Sequence, residues 1–110
     1  KNLDTFEVFD VRGRSWSALP PLPTARSGLG AAALAGRIYV AGGESLTGDG
    51  RTFSELEVFD PASGRWQSAP PLPTARHGIG MVAHDGQVYV LQGGRRAGLS
   101  VTNLNEQYRP

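Results

Sequence analysis

The feature that most restricts this chain is internal repetition. Glu7-Val8-Phe9-Asp10 returns as Glu57-Val58-Phe59-Asp60, and Trp16 returns as Trp66. The string Pro20-Pro21-Leu22-Pro23-Thr24-Ala25-Arg26 returns complete as Pro70 to Arg76. It is followed by Gly28/Gly78, Gly30/Gly80, Gly36/Gly86, Tyr39/Tyr89, Val40/Val90 and Gly43/Gly93, all at an offset of fifty. A third copy opens near Asn103, where Glu106-Gln107-Tyr108 echoes Glu57-Val58-Phe59. A fixed period of this size marks a repeat architecture, in which each unit buries its faces only against its neighbours.

Within a period the pattern is strand and turn, with no helical periodicity. Leu29 to Leu34 and Ile79 to His84 are runs of small or apolar residues that end at Ala35-Gly36 and Asp85-Gly86. Asp-Gly is a strong two-residue hairpin signal, because both positions of the favoured turn take a positive φ. Arg37 to Val40 and Gln87 to Val90 are the expected return strands, ending at the glycine pairs Gly42-Gly43 and Gly93-Gly94. Glu7 to Asp10 and Glu57 to Asp60 are third strands, and the turns Arg12 to Arg14 and Ala62 to Gly64 lead to fourth strands that carry Trp16 and Trp66. Each period is thus a four-stranded antiparallel meander in an all-β chain.

The double glycine after an apolar strand, the later aromatic Phe9 or Phe59 and the tryptophan beyond it resemble the Kelch repeat over nearly the whole chain. Gln92 stands before Gly93-Gly94, so the second glycine pair is read as the same motif displaced by one residue. The resemblance implies blades of a β-propeller. Residues 1–26 would supply the third and fourth strands of one blade, 27–76 a full repeat, and 77–110 the first to third strands of the next. A blade is narrow at the axis and wide at the rim, which suits the small inner run Gly28-Leu29-Gly30-Ala31-Ala32-Ala33. Tyr39, Tyr89, Trp16 and Trp66 are expected to fill the space between blades, and Trp66→Ala to cost about 3 to 5 kcal/mol.

Two blades make no ring, and each would leave an apolar face open. Either further sequence completes the propeller or copies assemble head to tail, three of them giving about six blades as a homotrimer. The third strand is present both in Leu3 to Asp10 and in Leu104 to Tyr108, so two segments compete for one place.

Composition narrows the function. The chain of 110 residues has a net charge of +1 and 19% charged residues, which gives no reason to expect nucleic acid as a partner. There is no cysteine, so disulfides, thiolate metal sites and the cysteine-modified tyrosine of Kelch copper oxidases are excluded. No apolar run approaches the length of a membrane helix, and Lys1 to Phe9 lacks the apolar core of a signal peptide, which leaves the compartment open with the cytoplasm as the default. No cofactor is called for.

In Kelch adaptors, arginines and serines at the start of the inner strand grip acidic motifs. That implies ligand contacts from Arg26, Ser27, Arg76 and His77, with Glu44, Arg95 and Arg96 from the loops after the glycine pairs. Arginine offers a carboxylate two parallel hydrogen bonds. The competing reading is that a repeated arginine binds loop carbonyls between blades. His77 and His84 fall on one expected strand roughly 23 Å apart, too far to share a metal. Asp10 and Asp60, with Glu7 and Glu57, are expected to be structural, the aspartates as turn acceptors. The sequence therefore points to a scaffold that binds a protein or acidic peptide. A Kelch-fold sugar epimerase or mutarotase using Arg26, Glu44 and His77, or a self-assembling structural or engineered fragment, are the alternatives.

Overall fold

A computed structural model describes residues 1–48 and 50–110 of the chain. The described residues form eleven strands and no helix: β1 (Glu7–Asp10), β2 (Ser15–Ala18), β3 (Gly30–Leu34), β4 (Arg37–Ala41), β5 (Glu44–Ser45), β6 (Arg51–Thr52), β7 (Leu56–Asp60), β8 (Arg65–Ala69), β9 (Gly80–His84), β10 (Gln87–Leu91) and β11 (Asn105–Tyr108). The middle sheet is a complete antiparallel meander in the order β3-β4-β7-β8. On one side of it stands the two-stranded sheet β1-β2, on the other the three-stranded sheet β9-β10-β11.

Turn chemistry sets the hairpins. Ala35 and Asp85 adopt φ of 50° and 47°, and Gly36 and Gly86 follow at 76° and 72°, so both tips carry the paired positive φ that the Ala-Gly and Asp-Gly dipeptides suggested. The outer hairpins turn on aspartate. Asp10 Oδ1 accepts the Arg12 N–H and Asp60 Oδ1 the Ala62 N–H, each at 2.9 Å, local bonds that hold the turn open to the next strand.

Alternation along the strands then builds the core. Leu56 and Val58 of β7, Tyr39 and Ala41 of β4, Val88 and Val90 of β10 and Leu72 of the proline segment form one buried cluster between the middle blade and the next. On the opposite face of the middle blade, Phe59 is 2% exposed and meets Phe6 and Trp66 at centroid distances of 5.0 and 5.2 Å. Burying such rings is worth about 2 to 3 kcal/mol each.

Three expectations need correction. The second glycine motif is not displaced: the bridges Ser27↔Glu44 and His77↔Gly94 keep the offset of fifty. Gln92 takes the left-handed conformation of Gly42 (φ 56° against 63°), and Gly93 takes that of Gly43. Secondly, the tryptophans are not equivalent. Trp66 is half-buried and donates from Nε1 to Pro20 O at 2.9 Å, whereas Trp16, stacked on Phe9, is 69% exposed. Thirdly, His77 lies outside the strand that bears His84, because β9 begins only at Gly80, after Gly78 has turned the chain at φ 59°.

Candidate functional site

The conserved geometry of the two repeats begins with arginine. In each period the Thr-Ala-Arg segment runs into the blade just before the inner strand, and its guanidinium turns inward. Arg26 Nη1 meets Glu57 Oε2 at 2.9 Å and its Nη2 donates to Val40 O at 3.2 Å, while Thr24 Oγ1 donates to Glu57 Oε1 at 2.6 Å. Arg76 repeats the arrangement, with Nη2 on Glu106 Oε2 at 2.7 Å and Nη1 on the carbonyls of Gln92 and Leu104 at 2.7 and 3.0 Å. Both arginine side chains are 0% exposed.

The expectation that Arg26 and Arg76 face a ligand is therefore corrected. Their charges are held inside the sheets by carboxylates, and removing either partner would strand a buried ion at a cost of about 3 to 5 kcal/mol. Their partners are Glu57, which the sequence marked as structural, and Glu106, which it did not single out. The signal was present as the near-constant separation of arginine and glutamate in the two periods.

Above this layer the loops of the two repeats are laced together. Glu44, at the start of the β5-β6 hairpin, accepts the Gly98 N–H on Oε2 at 2.6 Å and lies 3.4 Å from His77 Nδ1 through Oε1. His77 Nε2 stands 2.9 Å from Arg96 O, and Thr52 Oγ1 donates to Arg95 O at 3.0 Å. Four of the expected ligand residues, Glu44, His77, Arg95 and Arg96, are thus brought together. Ser27 sits beside them, exposed, with its hydroxyl on Glu44 O at 3.1 Å.

Their roles divide sharply. Glu44 and His77 are mostly buried and occupied with the loop backbone, whereas Arg95 and Arg96 are exposed and form no ion pair among the described residues. They line one shallow depression with Ala97, Leu99, Ser100 and Val101. Ser100 stiffens this loop, accepting the Arg96 N–H and donating to Arg96 O at 2.6 Å. Arg51, which sequence reading did not single out, is on the neighbouring hairpin, paired with Glu55 at 2.6 Å and stacked 4.5 Å from the Phe53 ring centre. Among the described residues no group of three metal-ligating side chains converges.

Comparison with known proteins agrees with this architecture. The Kelch motif is matched over residues 25–73, and no curated protein matches the chain. Among solved structures, that of YjhT aligns at a TM-score of 0.70 and 18% identity, over 86% of this chain and 34% of that one. The chain thus spans about a third of that structure's length, and at this identity the likeness speaks for the fold alone. The four-stranded middle blade thus coincides with a Kelch motif at residues 25–73, and the likeness to that solved structure agrees with the fold of β-propeller blades.

Proposed function

We propose that the chain is a binding scaffold whose contact surface is the joined loop layer, and that its ligand presents a carboxylate-rich segment, such as an acidic peptide, to Arg95 and Arg96. The observation that carries this reading is the contrast between the two arginine layers. Arg26 and Arg76 are neutralised by Glu57 and Glu106, whereas the Arg95 and Arg96 guanidinium groups have no carboxylate partner among the described residues. A loop held by Glu44, His77, Thr52 and Ser100 loses little further freedom on binding, which favours affinity. Adjacent arginines also match the planar geometry of carboxylates.

A fluorescently labelled glutamate oligomer tests this reading by anisotropy. Binding that weakens as salt is raised, and that falls about tenfold in Arg95→Ala or Arg96→Ala, supports it. Binding unchanged in the double variant, or no binding at low salt, rejects it. Arg26→Ala is the wrong variant for this purpose, since its loss acts on folding first.

A further inference from the structure

We propose that the two Pro-Pro-Leu-Pro segments, Pro20 to Pro23 and Pro70 to Pro73, are a docking surface for a partner domain whose aromatic-lined groove reads a polyproline II helix. Backbone chemistry is the starting point. Proline holds φ near about −65°, and a residue that precedes proline is pushed to an extended ψ. Leu19, Pro20 and Leu22 each precede a proline, as do Ala69, Pro70 and Leu72. These restrictions favour polyproline II over both segments, and neither segment belongs to a strand.

Burial follows the three-residue turn of such a helix. Leu19 is half-buried and Leu22, three residues on, is 8% exposed, whereas Pro20, Pro21 and Pro23 lie in solvent. The second copy repeats this, with Ala69 half-buried, Leu72 7% exposed, and Pro70, Pro71 and Pro73 in solvent. One ridge of the helix is therefore seated on the blades. The other two face outward, one formed by Pro20 and Pro23 and one by Pro21. The chain then bends at Pro23-Thr24, and at Pro73-Thr74, on its way to the buried arginine. The complete middle blade follows the first segment and precedes the second, so the shared pattern belongs to the segment itself and not to either neighbour.

Two further features define the partner. The leucines are tied down, Leu22 N–H donating to Asp4 O and Leu72 N–H to Ser54 O, both at 2.8 Å. The segments are thus fixed before a partner arrives, and a preformed polyproline II helix loses little freedom on docking. Beside the exposed rings, the carbonyls of Pro21 and Pro71 accept no hydrogen bond among the described residues. Proline rings next to open carbonyls suit tryptophan and tyrosine, which join an apolar ring to one polar hydrogen. The chain makes one such contact with itself: Trp66 Nε1 donates to Pro20 O at 2.9 Å. None of these residues belongs to the loop of Arg95 and Arg96, so this surface is independent of the acidic-ligand reading.

NMR titration of the isotope-labelled chain with a panel of purified WW and SH3 domains tests the proposal. The expected result is micromolar binding of at least one domain, with shifts at the Leu22 and Leu72 amides. An oligoproline peptide displaces that domain and a glutamate oligomer does not. Pro21→Ala combined with Pro71→Ala weakens the binding about tenfold and leaves the urea midpoint in place, because both rings are exposed. Should the paired variant unfold more easily, oligoproline competition on the unaltered chain decides. The proposal is overturned by a panel that does not bind at about 1 mM, by shifts confined to other segments, by a folded paired variant that binds as before, or by displacement with the glutamate oligomer rather than oligoproline.

Discussion

The middle blade and the last blade are written in nearly the same residues, yet one is closed and the other open. In the middle blade every residue of β7 from Leu56 to Phe59 is buried, and β8 covers its outer edge. In the last blade β11 alternates between exposed and half-buried residues and ends the sheet. The lesson is that a Kelch period does not carry its own stability. Each blade is finished by residues outside it: Phe6 from the strand before closes over Phe59 and Trp66, and Val88 and Val90 from the blade after close over Tyr39 and Leu56. Such nearest-neighbour coupling is the general behaviour of repeat proteins.

Paired substitutions can break this contrast, beginning with the largest effect. Phe59→Ala is expected to cost about 3 to 5 kcal/mol in urea unfolding, and the equivalent Tyr108→Ala, half-buried at the open edge, less than half as much. Equal losses would mean that the last blade is packed as tightly as the middle one. Glu57→Ala strands the buried Arg26 and is expected to cost about 3 kcal/mol or more. Glu106→Ala should cost less, since Arg76 keeps the carbonyls of Gln92 and Leu104.

A smaller separation is expected at the tryptophans. Trp66→Ala should destabilise by about 2 to 3 kcal/mol, slightly below the sequence-based expectation because the ring is only half-buried. Trp16→Ala should stay within about 0.5 kcal/mol, since the ring is 69% exposed. The smallest effect belongs to the surface: Arg51→Ala removes the exposed pair with Glu55 and should change stability by about 0.5 kcal/mol, shrinking further in high salt.

Much of the fold was legible because strands and turns are local. Alternating apolar residues, Asp85-Gly86 at a hairpin tip and Asp60 before a turn each act over a few bonds, and repetition let each be read twice. The candidate site was legible only in part. Arg26 and Arg76 stood out by repetition, but the same repetition arises when a side chain holds the blade together, and residue type does not say which way a guanidinium turns. Arg95 and Arg96 were found by position after the glycines. The contacts that hold their loop, Glu44 to Gly98 and Thr52 to Arg95, join residues 54 and 43 positions apart. No local pattern announces such pairs.

By itself, then, the sequence determined the period, the meander of each blade, the hairpin tips and the absence of cysteine chemistry, all of which follow from short-range sterics and residue identity. Only the tertiary structure decided that the repeated arginines are internal and the loop arginines external. Only it decided, too, that Gln92 holds the register of Gly42 and that Trp16 and Trp66 differ. These outcomes depend on which surfaces a neighbouring blade removes from water, and burial and charge pairing are properties of the packed sheets rather than of any one segment.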